Sequence, residues 1–339
     1  MVKDGHRQGW VECGAGTVFN KDVVMDTMVR IAALGLPVVL ALVLVACRGT
    51  SAAAGAPGVA AGLKLNHYVG CFNALDTRIL SGLRPYMYWM DDPRTGPTGL
   101  ETDPVGPADI SPRELKACEK SFTAGIAAQP AMPALDASAK AYLAALSRLQ
   151  PLAHEASNYY AEGAYQRDGF ARGKALHAPL WEALTGFLDA SMRFSEALNA
   201  EVEHATRAQL AGIEARDGRS REFYQTSLML EARLLLDDIT EEEDFNVDVA
   251  GQRVAAFAAV VNEARTKVPH LRRGGKGWDA IDAPAGIYLA EAAARLDLMT
   301  ARARFSDEQR ALLDVTAVDT GSADAVQRAY DALAAAAPK

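Results

Sequence analysis

The stretch that decides the fold is LDASAKAYLAALSRLQPLAHEASNYY, residues 135–160. Its apolar and aromatic side chains recur at alternating spacings of three and four, which is the repeat of a helix that packs along one face. Pro151 should kink this helix without ending the pattern. The stripe consists of Ala139, Tyr142, Leu146, Leu149, Ala153, Ala156 and Tyr160.

The same repeat continues in a second long helix, predicted over about residues 169–215. The short connection at 163–168 predicts that the two helices are antiparallel and pack like a coiled coil. Asp217 and Gly218 should end the second helix, and Ser220 is the predicted N-cap of a third helix that runs to about Ile239. The second stripe consists of Leu180, Leu184, Phe187, Ser191, Phe194 and Leu198.

The rest of the chain is also helical in pattern. No segment combines period-two alternation with flanking turn residues, as a β-strand would, and alanine, the best helix former, is over-used. We therefore predict an all-α fold, an elongated antiparallel helical bundle with long heptad-like helices. Further helices are predicted at 64–84, 112–128, 248–267, 279–303, 306–314 and 322–336.

Two connections are unusual. Residues 91–110 are rich in Pro and Gly and are long for a link in a compact helical protein. Such a segment is either a functional loop or a long crossover, and the crossover is the commoner case. Residues 269–277 carry several basic side chains, which indicates a solvated basic loop or, alternatively, a contact with anionic head groups or a partner.

The N-terminal region predicts export and lipidation. An apolar run of about 15 residues, 31–45, is shorter than a spanning helix needs and is typical of a signal-peptide core. The run ends in Leu44-Val45-Ala46-Cys47, which resembles a lipobox, so Cys47 is the predicted lipidation site. The alternative is a simple membrane anchor with an incidental cysteine. Two explanations fit residues 1–27. Either translation truly starts at Met28 and these residues are not part of the protein, or they form an unusually long leader.

The domain organisation follows from these segments. Residues 1–46 form the leader and lipoprotein signal peptide, 47–62 a lipidated, flexible tether rich in Gly and Ala, and 63–339 one helical domain. Arg48 follows Cys47 in place of the Asp associated with inner-membrane retention, so the expected location is the outer membrane, facing the periplasm. A net charge of −8 argues against nucleic-acid binding.

Two cysteines remain in the predicted exported domain, Cys71 and Cys118. In an oxidising compartment an even pair suggests a disulfide, and two separate buried thiols are the alternative. The pair can form if the long 91–110 connection brings the first two helices side by side.

Several separated strings form a recognisable pattern along the chain. They are residues 64–73, 86–89, 96–99 and 118–120, then Tyr159-Tyr160, Tyr165, Asp168, Phe170, Gly173-Lys174 and Leu176-His177, then 216–218, Tyr224, Ser227-Leu228 and 322–333. In this order they resemble the YiiG-like family of bacterial lipoproteins, whose domain has no known function. The resemblance covers about residues 64–334, although Asp331 replaces the asparagine expected after Tyr330. It implies a helical envelope lipoprotein, supports both the lipid site and the pairing of Cys71 with Cys118, and implies no activity.

The central block of that resemblance supplies the candidate ligand-binding residues, which are Tyr159, Tyr160, Tyr165, Lys174 and His177. A metal site is geometrically conceivable, because His154 and His177 lie about equally far from the turn and have Glu155 and Glu182 nearby. The signal is weak, because no His-Glu-x-x-His helix is present and neither His has a second His one turn away. We predict no metal ligands and no cofactor.

The function predicted from these observations is that of a non-enzymatic envelope protein. Its partners would be the membrane, through the lipid anchor, and another envelope protein or a small ligand. The alternative is a periplasmic metal-dependent enzyme centred near His177, with Tyr160 and neighbouring acidic residues.

Overall fold

The computed structural model describes residues 57–241, 245–268, 278–302 and 320–337, and within these ranges all regular structure is helical. The predicted all-α fold is confirmed. The predicted helix at 306–314 and the basic loop at 269–277 lie outside the described residues. The helices are α1 (Pro57–Tyr88), α2 (Pro112–Ala127), α3 (Pro133–Ala161), α4 (Tyr165–Asp168), α5 (Ala171–Asp217), α6 (Arg221–Thr240), α7 (Val247–Lys267), α8 (Asp279–Arg302) and α9 (Ala323–Ala336).

The first four long helices form one antiparallel four-helix bundle. Helix α1 packs against α2 and α5, and α3 closes the ring between them. Both predicted stripes are buried in its core, because a heptad-like repeat places one side chain per turn at the helix–helix seam. Five aromatic rings fill the centre, with centroids 5.1 to 5.8 Å apart: Tyr68, Phe72, Phe122, Tyr142 and Phe194.

The remaining long helices, α6 to α9, form a second antiparallel four-helix bundle with a separate hydrophobic core. Phe257 and Tyr288 pack edge to face in this core (ring centroids 5.2 Å apart), and Trp278, directly before α8, is fully buried in it. The hydroxyl of Tyr288 donates to the carbonyl of Ala232 (2.8 Å), and the buried Arg295 guanidinium donates to the carbonyl of Ile239 near the end of α6 (2.9 Å). The described part of the chain therefore has two separate hydrophobic cores within the region predicted as one helical domain.

Helix α5 connects the two bundles. Its 47 residues correspond to a length of about 70 Å. It ends at Asp217 with Gly218 in the left-handed region (φ 66°), and the hydroxyl of Ser220 accepts from the amide of Phe223, so the predicted helix end and N-cap are confirmed.

Helix α1 begins earlier than predicted. Residues 57–62, assigned to a flexible tether from their Gly and Ala content, are helical. Gly58 packs against the backbone of α5, where an added Cβ would lie 3.2 Å from the amide nitrogen of Gln209. Small side chains let the two helix backbones approach closely, and this non-local packing orders the segment. Residues 47–56 lie outside the described part.

A disulfide joins α1 to α2 through Cys71 and Cys118, with the two Cα atoms 5.4 Å apart. Of the two arrangements that the sequence allowed, the structure has the paired one. Antiparallel packing brings the two half-cystines together, since Arg78 pairs with Glu114 nearer one end of the helices and Ser121 donates to the carbonyl of His67 nearer the other.

In the described ranges, no helix has both the length and the hydropathy that crossing a bilayer requires. The apolar run at 31–45 and the predicted lipid site at Cys47 lie outside these ranges.

Candidate functional site

The candidate residues lie at one end of the first bundle, where α1 and α3 end and α5 begins. Residues 89–111, which join α1 to α2, close this end and then follow the side of the bundle. The indole Nε1 of Trp89 donates to the carbonyl of Val105 (2.8 Å), and the amide of Gln150 donates to the carbonyl of Ile110 (2.9 Å). The connection is thus a crossover fixed by side chains of α3 and by Trp89, the first residue after α1.

The carboxylate of Glu101 fixes the backbone of the connection at Thr98 and Gly99. The amides of Thr98 and Gly99 both donate to Glu101, at 2.5 and 2.7 Å. These backbone hydrogen bonds outweigh the opposing effect of partial burial, and the pKa of the Glu101 carboxyl is lowered from its ordinary value. The connection therefore has a defined conformation at the end of the bundle.

His177, on the second turn of α5, is buried beneath this connection. Its Nε2 lies 2.8 Å from the carbonyl oxygen of Pro93, which can only accept, so Nε2 carries the proton. The hydroxyl of Tyr86 then donates to Nδ1 (3.0 Å). Burial lowers the pKa of the His177 imidazole, against the smaller raising effects of Pro93 and Asp92. His177 is a neutral side chain with both ring nitrogens hydrogen-bonded.

Tyr159 and Asp168 form a second hydrogen-bonded group, at the turn between α3 and α5. The Tyr159 hydroxyl donates to Asp168 Oδ1 (2.7 Å), and the amide of Arg172 donates to Oδ2 (3.0 Å). Burial and the neighbouring Asp168 raise the pKa of Tyr159 to about 12. Asp168 thereby satisfies an otherwise free amide in the first turn of α5.

Tyr160 and Tyr165 belong to an aromatic cluster that fills the end of the bundle. Tyr160 is buried, and its ring lies 5.4 Å from that of Trp89 and 6.3 Å from that of Tyr165. Its hydroxyl has no hydrogen-bond partner among the described residues. Tyr165 is half-buried and packs on Phe170 (5.0 Å). These rings are mainly part of the packing.

Lys174 lies at the edge of the cluster with an exposed side chain. An added Cβ on Gly99 would be 3.2 Å from its Nζ, so the crossover reaches the first turn of α5 here. The structure brings the five candidate residues to one end of the bundle but buries Tyr159, Tyr160 and His177. Their role as ligand contacts stays a prediction, and the two more accessible candidates are Tyr165 and Lys174.

The metal hypothesis gains no support from this arrangement. His154 Nδ1 pairs with Asp109 (2.7 Å) and Nε2 contacts the amide of Asn158 (3.3 Å), so both of its ring nitrogens are engaged. Glu155 forms an ion pair with Arg172. Across the described ranges, no three His, Cys, Asp or Glu side chains are grouped so that they could hold a metal ion.

Sequence reasoning missed the exposed apolar side chains at this end. Leu100 is 90% exposed, Tyr88 81% and Val105 49%, although each belongs to the end of α1 or to the crossover. The signal available was the presence of large apolar residues in a connection rich in Pro and Gly.

Comparison with known proteins places the chain in a family. A family model described as "Protein of unknown function (DUF3829)" matches residues 62–335. "Uncharacterized protein YiiG" of Escherichia coli (strain K12) is 28% identical over 229 residues, which cover 68% of this chain and 64% of that protein, slightly less than two thirds of its length. No solved structure matches. Because the family model covers well over half of the chain, this protein belongs to the YiiG-like DUF3829 family, whose function is unknown.

Proposed function

We propose that this protein is a lipid-anchored component of the bacterial cell envelope that acts by binding another envelope protein. The observation that carries the proposal is the disulfide between Cys71 and Cys118. Disulfides persist in oxidising compartments such as the periplasm and are rare in the cytosol. An exported domain needs an export signal, and the apolar run before Cys47 supplies one.

The lipid on Cys47 would hold the first bundle close to the membrane, at the outer membrane with the protein facing the periplasm. Nine residues lie between Cys47 and Pro57, and even a fully extended chain over these ten Cα–Cα steps spans at most about 35 Å. Helix α1 then leads away from its N-terminus for 32 residues, or about 48 Å. The end that carries the crossover is therefore the end far from the anchor.

The polar side chains at that end are hydrogen-bonded within the protein, and this supports a binding role more strongly than a catalytic one. His177, Tyr159 and Asp168 are all engaged in hydrogen bonds within the protein. A partner would meet the exposed side chains of the crossover rather than these residues. The same observation favours a protein partner over a small ligand bound among the tyrosines.

The anchor can be tested by mass spectrometry of the mature protein from isolated membranes. We expect a chain that begins at Cys47 and carries acyl groups on that residue. The variant Cys47→Ser should lose processing and acylation, whereas Cys13→Ser, the matched control, should leave both unchanged. A mature chain that begins upstream of Cys47 with an unmodified thiol would refute the anchor.

A further inference from the structure

His177 links the crossover to α1 and α5. Its Nε2–H donates to the carbonyl of Pro93 in the crossover (2.8 Å), and its Nδ1 accepts from the hydroxyl of Tyr86 on α1 (3.0 Å). The backbone of Gly96 lies directly on the ring, since an added Cβ at this position would overlap the imidazole. The imidazole is therefore enclosed between the crossover and α1.

The two hydrogen bonds of His177 require a neutral imidazole. A protonated ring carries hydrogens on both nitrogens, so Nδ1 could no longer accept from the hydroxyl of Tyr86. The residue is only 2% exposed, so the positive charge would also lose most of its contact with water. Protonation therefore costs a hydrogen bond and the burial of a charge, and the same burial lowers the pKa of His177.

The titratable groups around His177 compensate little for a positive charge. Asp92 in the crossover raises the pKa of His177, but by less than burial lowers it. Tyr86 of α1 is held neutral, because burial raises its pKa far above the ordinary value and the nearby Tyr160 of α3 raises it further. Lys174, one turn earlier on α5, is itself a cation. Among the described residues, none forms an ion pair with His177.

We propose that His177 is a pH-sensitive latch, which holds residues 92–97 of the crossover against α1 and α5 when the ring is neutral and releases them when it is protonated. The bonds of Trp89 and Gln150 to the later part of the crossover do not involve His177, so they stay in place. Acid therefore changes the crossover without separating the helices. This goes beyond the proposed binding role, because it gives the surface that a partner would meet a response to pH.

The lowered pKa of His177 sets the direction of the pH response. The released ring takes up a proton at the ordinary pKa of histidine, about 6.5, whereas the enclosed ring does so only at a lower pH. Release is therefore independent of pH above about 6.5 and becomes more favourable as the pH falls below that value. Between about pH 7.5 and about pH 5 the equilibrium constant for release should increase by about fivefold to thirtyfold, with the upper limit set by the released histidine.

The test is hydrogen exchange, measured by mass spectrometry on the purified full chain at these two pH values. Each exchange rate is divided by the intrinsic rate at the same pH, so that the protection of residues 91–99 reports release of the crossover. We expect this protection to fall in acid by the factor given above. The protection of α7, in the second bundle, should change by less than about twofold.

Three variants isolate the imidazole. His177→Gln keeps a donor for Pro93 and an acceptor for Tyr86 but cannot be protonated, so its crossover should be equally protected at both pH values. His204→Gln, on the exposed face of α5, is the matched control and should keep the native response. Tyr86→Phe leaves His177 titratable but removes the hydrogen bond to the neutral ring, so release should begin at a higher pH.

Three results would overturn the latch: equal protection of the native crossover at both pH values, a pH response that persists in His177→Gln, or a loss of protection that is equal in α7. If His177→Gln does not fold, Tyr86→Phe decides, because an unchanged pH of release would also overturn the latch. Failure of the lipid anchor is distinguishable from these results, since it would appear as an unmodified Cys47 in the mass spectrum.

Discussion

Lys64 is a buried cation with partners on other parts of the bundle. Only 1% of the residue is exposed, and its Nζ lies 2.9 Å from Asp136 Oδ2 and 3.0 Å from the carbonyl oxygen of Ala128. The hydroxyl of Tyr68 donates to the other carboxylate oxygen of Asp136 (2.8 Å). This network ties the start of α1 to the start of α3 and to the end of α2.

Replacing Lys64 should therefore destabilise the protein strongly. Lys64→Met leaves the Asp136 carboxylate without its counter-ion, and we expect a loss of about 3 kcal/mol in the free energy of unfolding. Urea denaturation measures it. Lys140→Met, an exposed lysine on α3, is the control and should change stability by less than about 0.5 kcal/mol. Equal effects of the two variants would contradict the network.

Asp76 is a buried carboxyl of α1 that accepts a hydrogen bond from the hydroxyl of Ser191 (2.5 Å). Burial raises its pKa to about 6, against the smaller lowering effect of its hydroxyl neighbours. The folded state therefore holds a proton that the unfolded state has lost. The contribution of Asp76 to the free energy of unfolding is therefore largest below the pKa of the unfolded state, about 4. This contribution is lost as the pH rises through 6.

Asp76→Asn removes this ionisation cost. The stability of the variant relative to the native protein should increase by about 2 kcal/mol between about pH 4.5 and about pH 7.5, since one pKa unit corresponds to 1.36 kcal/mol. Urea denaturation at both pH values measures the change. Asp189→Asn, on the exposed face of α5, should show no such trend. A difference that is independent of pH would show that Asp76 ionises normally.

At the scale of elements, the crossover at 89–111 depends on Gly96. Its φ of 83° lies in the left-handed region, and an added Cβ would lie 2.5 Å from Cγ of the His177 ring. Two costs therefore combine at this position, namely backbone strain and overlap with a buried ring.

Gly96→Ala should destabilise the first bundle by at least about 2 kcal/mol. Gly169→Ala is the matched control, because Gly169 has a φ of 60° and no atom within 4 Å of an added Cβ. Its cost should be that of the backbone alone, about 1 kcal/mol. Thermal unfolding of the two variants measures the difference, and equal melting temperatures would mean that the crossover can move away from His177.

For the whole molecule, two cores imply two units of stability. The disulfide closes a loop between residues 47 apart within the first bundle, and such a constraint contributes about 4 kcal/mol in the chain-entropy model. The second bundle has its own buried residues around Phe257 and Trp278. The two bundles meet through α5 and α6, so unfolding one leaves most of the other core intact.

The double variant Cys71→Ala/Cys118→Ala should lower the melting temperature of one calorimetric transition and leave the other near its native value. Phe257→Ala, in the second core, should do the reverse, with a cost of about 3 to 5 kcal/mol. A single transition that both variants shift equally would show that the two bundles unfold as one cooperative unit.

Most of the helical architecture was predictable from the sequence. The stripes of α3 and α5, the end of α5 at Asp217 and the cap at Ser220 depend on residues close together in the chain. Local spacing and side-chain type are enough for these features, since they determine which face of a helix is apolar and which amides a hydroxyl can reach. The gathering of the candidate tyrosines and His177 at one turn followed from the same antiparallel pairing.

The tertiary structure alone decided which groups those residues contact and how the helices divide into two cores. Tyr86 lies 91 residues from His177, and Gln150 lies 40 residues from the carbonyl that it binds. Such pairs depend on how distant segments pack, and no local pattern encodes them. For the same reason the sequence specified amphipathic helices but not the two cores into which they assemble, because an apolar face does not identify the face that will cover it.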